Sequence, residues 1–126
     1  MQDFNELLDI QFRGYQNDVY QLELEVGPQH LHSAGSVHGG VFLTLLDTVM
    51  SRAVRASRPE RCYTPTMQLS GNFFRPLSDG SIYAEGRVRN SSRKTVFAEG
   101  KLYDRQRRLL AQGTATFIVA EQATLA

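Results

Sequence analysis

Residues 81–89, 95–103 and 109–119 each place small side chains at the middle of one alternating face and larger ones toward its ends. The first stretch presents Ile82, Ala84, Gly86 and Val88, and the second Val96, Ala98, Gly100 and Leu102. The third presents Leu109, Ala111, Gly113, Ala115 and Phe117. Alternation of period two marks half-buried strands. With Tyr63 to Phe74 also extended, turn signals at Asp79-Gly80, 90–94 and 104–108 predict three consecutive hairpins, an antiparallel meander. A trough of Gly and Ala across adjacent strands lets a bulky helix lie close to the sheet. The competing reading is that these glycines mark bulges.

The run from Val37 to about Ala56 is the only candidate to fill such a trough. Val41, Phe42, Leu45, Leu46, Val49, Met50 and Ala53 recur at spacings of three and four, while Thr44, Asp47, Thr48, Ser51 and Arg55 form a narrower polar stripe. One long helix wrapped by a curved antiparallel sheet is an α+β architecture. Upstream, residues 3–8 read as a short amphipathic helix through Phe4, Leu7 and Leu8. Asp18 to Val26 reads as a strand with a slip near Gln21, ended by Gly27-Pro28. Ser57-Arg58-Pro59-Glu60 closes the long helix.

At 126 residues the expectation is a single domain, 1–126, large enough for a hydrophobic core without disulfides or metal. A net charge of +1 gives no electrostatic case for nucleic acid. One cysteine, Cys62, forbids an internal disulfide and fits a reducing compartment; no base partner for it is evident. The first six residues are acidic and lack the apolar core of a signal peptide. No apolar run approaches the roughly 20 residues that span a bilayer. The expected location is cytoplasmic, with no membrane partner.

Chemistry concentrates at Gly35-Ser36-Val37-His38-Gly39-Gly40 and the helix that follows. Glycines at a helix start expose backbone N–H groups able to receive a developing negative charge. Asp47 stands among Val, Phe and Leu, where a buried charged carboxylate is costly, so it is a candidate acid or base. The other reading of Asp47 is a solvent-facing member of the polar stripe. Gly39 and Asp47 are eight residues apart, about 12 Å along a helix axis. A reacting carbonyl must lie about 3 Å from both its oxyanion donor and its attacking group. If both residues are catalytic, two chains must meet, Gly39 of one facing Asp47 of the other. His30, His32 and His38 share a loop without a nearby acidic cluster, which argues against a metal site.

His38-Gly39-Gly40 with Asp47 following, Phe73-Phe74-Arg75-Pro76, the 90–95 hairpin and Leu110 to Ala115 together resemble the PaaI-like (phenylacetate-degradation) thioesterases of the hotdog fold. The resemblance runs from about residue 18 to 119. It implies hydrolysis of an acyl-CoA thioester, without metal or cofactor, in a homodimer with shared sites that further pairs into a tetramer. It implies that the Gly39 N–H, beside Gly40, polarises the carbonyl, and that Asp47 from the partner activates water or attacks directly. Thr66 falls where relatives carry a Ser or Thr that assists the carboxylate or its water, and the resemblance has His38 shape the loop and contact the thioester region. His32 stands where some relatives have Asn, and Gln68 where some have an acidic residue. Arg93 and Lys94 are candidates for the phosphates of coenzyme A, against the plainer reading of a solvated turn. A hotdog hydratase or dehydratase of enoyl thioesters, and a thioester-binding module without turnover, are the rival functions.

Overall fold

The structure, a computed structural model, describes residues 2–58, 60 and 62–121. In chain order its elements are α1 (Phe4–Leu7), β1 (Gln11–Gln16), β2 (Val19–Glu25), a 3-10 turn at Pro28–His30, α2 (Gly39–Ala56), β3 (Cys62–Tyr63), β4 (Thr66–Phe73), β5 (Ser81–Ser91), β6 (Thr95–Tyr103), β7 (Leu109–Ile118) and β8 (Ala120–Glu121). Six strands make one antiparallel sheet in the order β1-β2-β5-β6-β7-β4, and β3 pairs with β8. The α+β expectation holds: one long helix packs against a six-stranded antiparallel sheet.

The trough is a line of four glycines in register. Gly86 faces Gly100, Gly100 faces Gly113, and Gly113 faces Gly71, across β5, β6, β7 and β4. None of the four sits at a register shift, so they mark close approach and not bulges. A Cβ at Gly86 would lie 2.5 Å from the backbone O of Val49. The α2 backbone thus rests almost directly on the sheet, and Leu45, Leu46, Val49 and Met50 are fully buried there. Phe117, Ile82, Leu102, Leu22 and Leu24 close the core around them.

Several expectations are corrected. β5, β6 and β7 are consecutive neighbours, but β4 does not pair with β5; it crosses over to lie beyond β7 at the sheet edge. Asp79-Gly80 therefore bends a crossover, not a hairpin. The extended run from Tyr63 is broken at Thr64-Pro65 into β3 and β4. β1 was not anticipated; Asn17 and Asp18, both with positive φ (54° and 64°), make the tight turn into β2. The irregularity near Gln21 belongs to β1, where the register shifts between Phe12 and Gly14, and Tyr20 instead of Val19 faces the core. A shift at Tyr103 turns Leu110 fully inward beside Ala111, while Leu109 is only half-buried. β5 runs on to Ser91, shortening the following turn to 92–94. Phe4 and Leu7 of α1 are exposed, and of the three only Leu8, just past its end, is buried.

Candidate active site

His38 is the N-cap of α2, extended at φ −61° and ψ 136°, and its Nδ1 accepts the Gly40 N–H at 2.8 Å. The loop before it is anchored by His30, 1% exposed, whose Nδ1 accepts the Gly27 N–H at 2.9 Å. With Nδ1 accepting, Nε2 carries the proton and donates to the Leu8 carbonyl at 2.8 Å. Both ring nitrogens of His30 are thereby used in structure. The His38 N–H donates to the His30 carbonyl and the Val37 N–H to that of Leu77, which fixes the approach to the helix. Of the expected donor pair, Gly40 N–H is already occupied by His38. Gly39 N–H has no acceptor among the described residues.

Asp47 lies mid-helix and is half-buried, not fully withdrawn from water as its apolar neighbours suggested. Its Oδ1 accepts the Thr66 hydroxyl at 2.7 Å, and it forms no ion pair among the described residues. One carboxylate oxygen is thus oriented and the other left available. A bulge makes this contact. Thr66 pairs with Phe117 and Gln68 with Thr116, so Met67 is the extra residue and Thr66 takes the helix-facing position.

Around the start of α2 opens a cleft of about 340 Å³, whose walls include His32, Gly39, Phe42, Phe73, Phe74 and Arg75. His32 sits in a turn of its own making, its Nδ1 accepting the Ala34 N–H at 3.0 Å. Asp47 and Thr66 are not part of this wall. A single chain therefore has, among its described residues, an unbonded N–H at the start of α2 beside an aromatic cleft and a hydroxyl-braced carboxylate at mid-helix.

The family model of the thioesterase superfamily matches residues 34–111, from the loop before α2 into β7. The chain belongs to the thioesterase superfamily. A candidate esterase of Saccharolobus solfataricus is 26% identical over 112 residues, spanning 89% of this chain and 74% of that protein. A thioesterase of Haemophilus influenzae superposes with a TM-score of 0.88 at 20% identity, covering 93% of this chain and 82% of that one. A mutant of the phenylacetic acid degradation protein PaaI from Thermus thermophilus gives a TM-score of 0.81 at 24% identity, over 91% and 96% of the two chains. Below 25% identity these structures speak for the shared hotdog fold.

In this thioesterase-superfamily chain Arg93 and Lys94 occupy the tip between β5 and β6. Arg58, just past the C-terminal end of α2, donates to the Ser92 carbonyl at 2.6 Å, so that tip lies at the far end of the helix from Gly39. Eighteen helical residues separate the ends by roughly 27 Å. Within one chain the two cations and the cleft do not meet. Cys62 is buried, and no group of three or more His, Cys, Asp or Glu gathers among the described residues. No helix there is long and apolar enough to cross a membrane. The side chains of Phe73, Phe74 and Arg75 were not anticipated as parts of the cleft. Two adjacent aromatics ending a strand before Arg-Pro break its alternation, and that signal was available in the sequence.

Proposed function

We propose that this chain hydrolyses an acyl-CoA thioester at sites shared between two copies, Gly39 of one copy facing Asp47 of the other. One observation carries the reading: the two half-sites flank the two ends of a single edge strand. Asp47 is bonded to Thr66 where β4 begins, and Gly39 lies under Phe73 where β4 ends. Among the described residues β4 pairs only with β7, and nearly all its residues are exposed, with Met67 61% and Phe73 48% accessible. An unpaired edge of this kind is a template for strand addition. Antiparallel pairing of two β4 strands about a two-fold axis brings the beginning of one against the end of the other. That arrangement supplies both groups to one carbonyl.

In this reading the thioester carbonyl oxygen accepts the free Gly39 N–H, which stabilises the oxyanion as it forms. Asp47, held by Thr66, takes a proton from water as that water attacks, or attacks the carbonyl carbon itself. The tetrahedral centre collapses with cleavage of the C–S bond. When water attacks, the thiolate takes up the proton held by Asp47. When Asp47 attacks, water then cleaves the mixed anhydride, restores the carboxylate and supplies that proton. His38 and Gly40 set the turn that presents Gly39, and His32 borders the acyl end. Arg93 and Lys94, supplied across the same assembly, bind the phosphates of coenzyme A. The assembly is a homodimer, or a pair of such dimers.

Thiol release from a panel of aromatic, short and long acyl-CoAs tests the activity. Asp47→Asn and Asp47→Ala are expected to fold and dimerise yet lose at least about a hundredfold in kcat. Near-native turnover in either variant removes Asp47 from the chemistry. Ligand binding without thiol release returns a binding module, and hydration of an enoyl thioester returns a hydratase.

A further inference from the structure

Phe73 ends β4 on the face that looks toward α2, the face shared with Leu69 and Gly71, yet it stays 48% exposed. The ring forms part of the cleft wall beside Gly39 and Phe42. Its edge lies over two residues that lack side chains. A Cβ on Gly39 would meet its Cε2 at 3.2 Å, and a Cβ on Gly71 its Cε1 at 3.5 Å. Phe42, one turn into α2, meets it edge-on with ring centroids 5.8 Å apart and planes at 75°.

The backbone beneath that ring is fixed from the sheet side. The N–H groups of Phe74 and Arg75 both donate to the carbonyl of Leu110, at 2.8 and 3.2 Å, and Leu110 is itself fully buried. The Gly39 N–H makes no bond among the described residues; the other end of its peptide, the His38 carbonyl, accepts the Val41 and Phe42 N–H groups at 2.9 and 3.4 Å. Those bonds fix the peptide from the helix side, and the Phe73 ring edge packs against Gly39 from the cleft side.

From this we infer that Phe73 is a positioning residue for the Gly39 N–H, setting the orientation of that donor toward the thioester carbonyl; the inference rests on the thioesterase reading above. A donor misplaced by about 1 Å costs on the order of a hundredfold in rate. The loss belongs in kcat, because the contact matters most as negative charge develops on the oxygen.

The test uses the whole protein and one probe, phenacyl-dethia-CoA, in which a methylene replaces the thioester sulfur and the carbonyl carbon is 13C. Bound to wild type, the probe's C=O stretch is expected to fall below its value in water. In Phe73→Ala it is expected to return at least half-way, with kcat on the matching thioester down at least about tenfold and KM within about threefold. Phe73→Tyr keeps the ring and is expected to keep the lowered stretch. Phe73→Leu gives an intermediate value and serves if the alanine variant does not fold. A wild-type stretch in Phe73→Ala, or loss of binding with no change in the stretch of what remains bound, overturns the positioning role. No lowering in wild type is a different failure: it removes Gly39 as the oxyanion donor, and the inference goes with it.

Discussion

Met67 is the residue that lets Thr66 reach Asp47. With strict alternation from Leu69 and Gly71, position 67 would face the helix and Thr66 would face away. The extra residue reverses the phase and brings the hydroxyl within 2.7 Å of Oδ1. Nothing in Thr-Met-Gln announces a bulge, so Thr66 stood as a partner of Asp47 only through family resemblance. Gly39 and Asp47 stood out as candidates by their own chemistry, a glycine at a helix start and a carboxylate in an apolar run. A second carboxylate makes a prediction away from the site. Burial of Asp104 favours its neutral form, but the N–H groups of Arg108 and Gln106 and the Arg108 guanidinium outweigh it, and its carboxyl sits below the ordinary 3.8. A carboxyl lowered on folding stabilises the fold above its unfolded value, and that contribution is lost as pH falls through the lower folded value. Asp104→Asn is therefore expected to lower Tm at pH 7, with the gap to wild type narrowing below about pH 4. Melting curves of both proteins from pH 7 to pH 2.5 decide it, and a constant gap refutes it.

Between elements, the decisive contact is α2 against the four-glycine line. A Cβ at Gly86 meets main chain, the Val49 O at 2.5 Å, which cannot rotate aside as a side chain would. Gly86→Ala is expected to cost about 3 kcal/mol, at the upper end of overpacking, and to lower Tm by roughly 10 °C or more. Thermal unfolding by circular dichroism measures it; a shift under about 3 °C would mean that the helix has slack over the sheet. This helix and strands β5 to β7 were legible because each carries its own periodicity and its partners are next in sequence. The place of β4 was not, since its pattern fits either side of the meander and only packing against α2 and β7 selects the far edge. β1 escaped because Gln11 to Gln16 carries little apolar alternation, its half-buried residues being Phe12, Gly14 and Tyr15.

For the whole molecule, the shared-site reading predicts complementation between two dead variants. Asp47→Ala lacks the carboxylate, and Gly39→Pro lacks the N–H at the first helical position, where proline is tolerated. The Phe73 ring edge 3.2 Å from that Cβ is half-exposed and can yield. Each mixed dimer pairs one intact Gly39 with one intact Asp47, while its second site lacks both. Random mixing gives about half mixed dimers, each with one good site of two, so about a quarter of native activity is expected after co-refolding. Mixed dimers that form but stay at the level of the parent variants rule the arrangement out. In the proposed reading the donor at Gly39 is main chain, which has a consequence for how such a site changes over generations. Almost any residue at position 39 carries an N–H, so the gene specifies there an absence, the room that Phe73 needs. A library that varies positions 39 and 73 together therefore explores fit and selectivity while the chemical group itself, proline aside, is inherited unchanged.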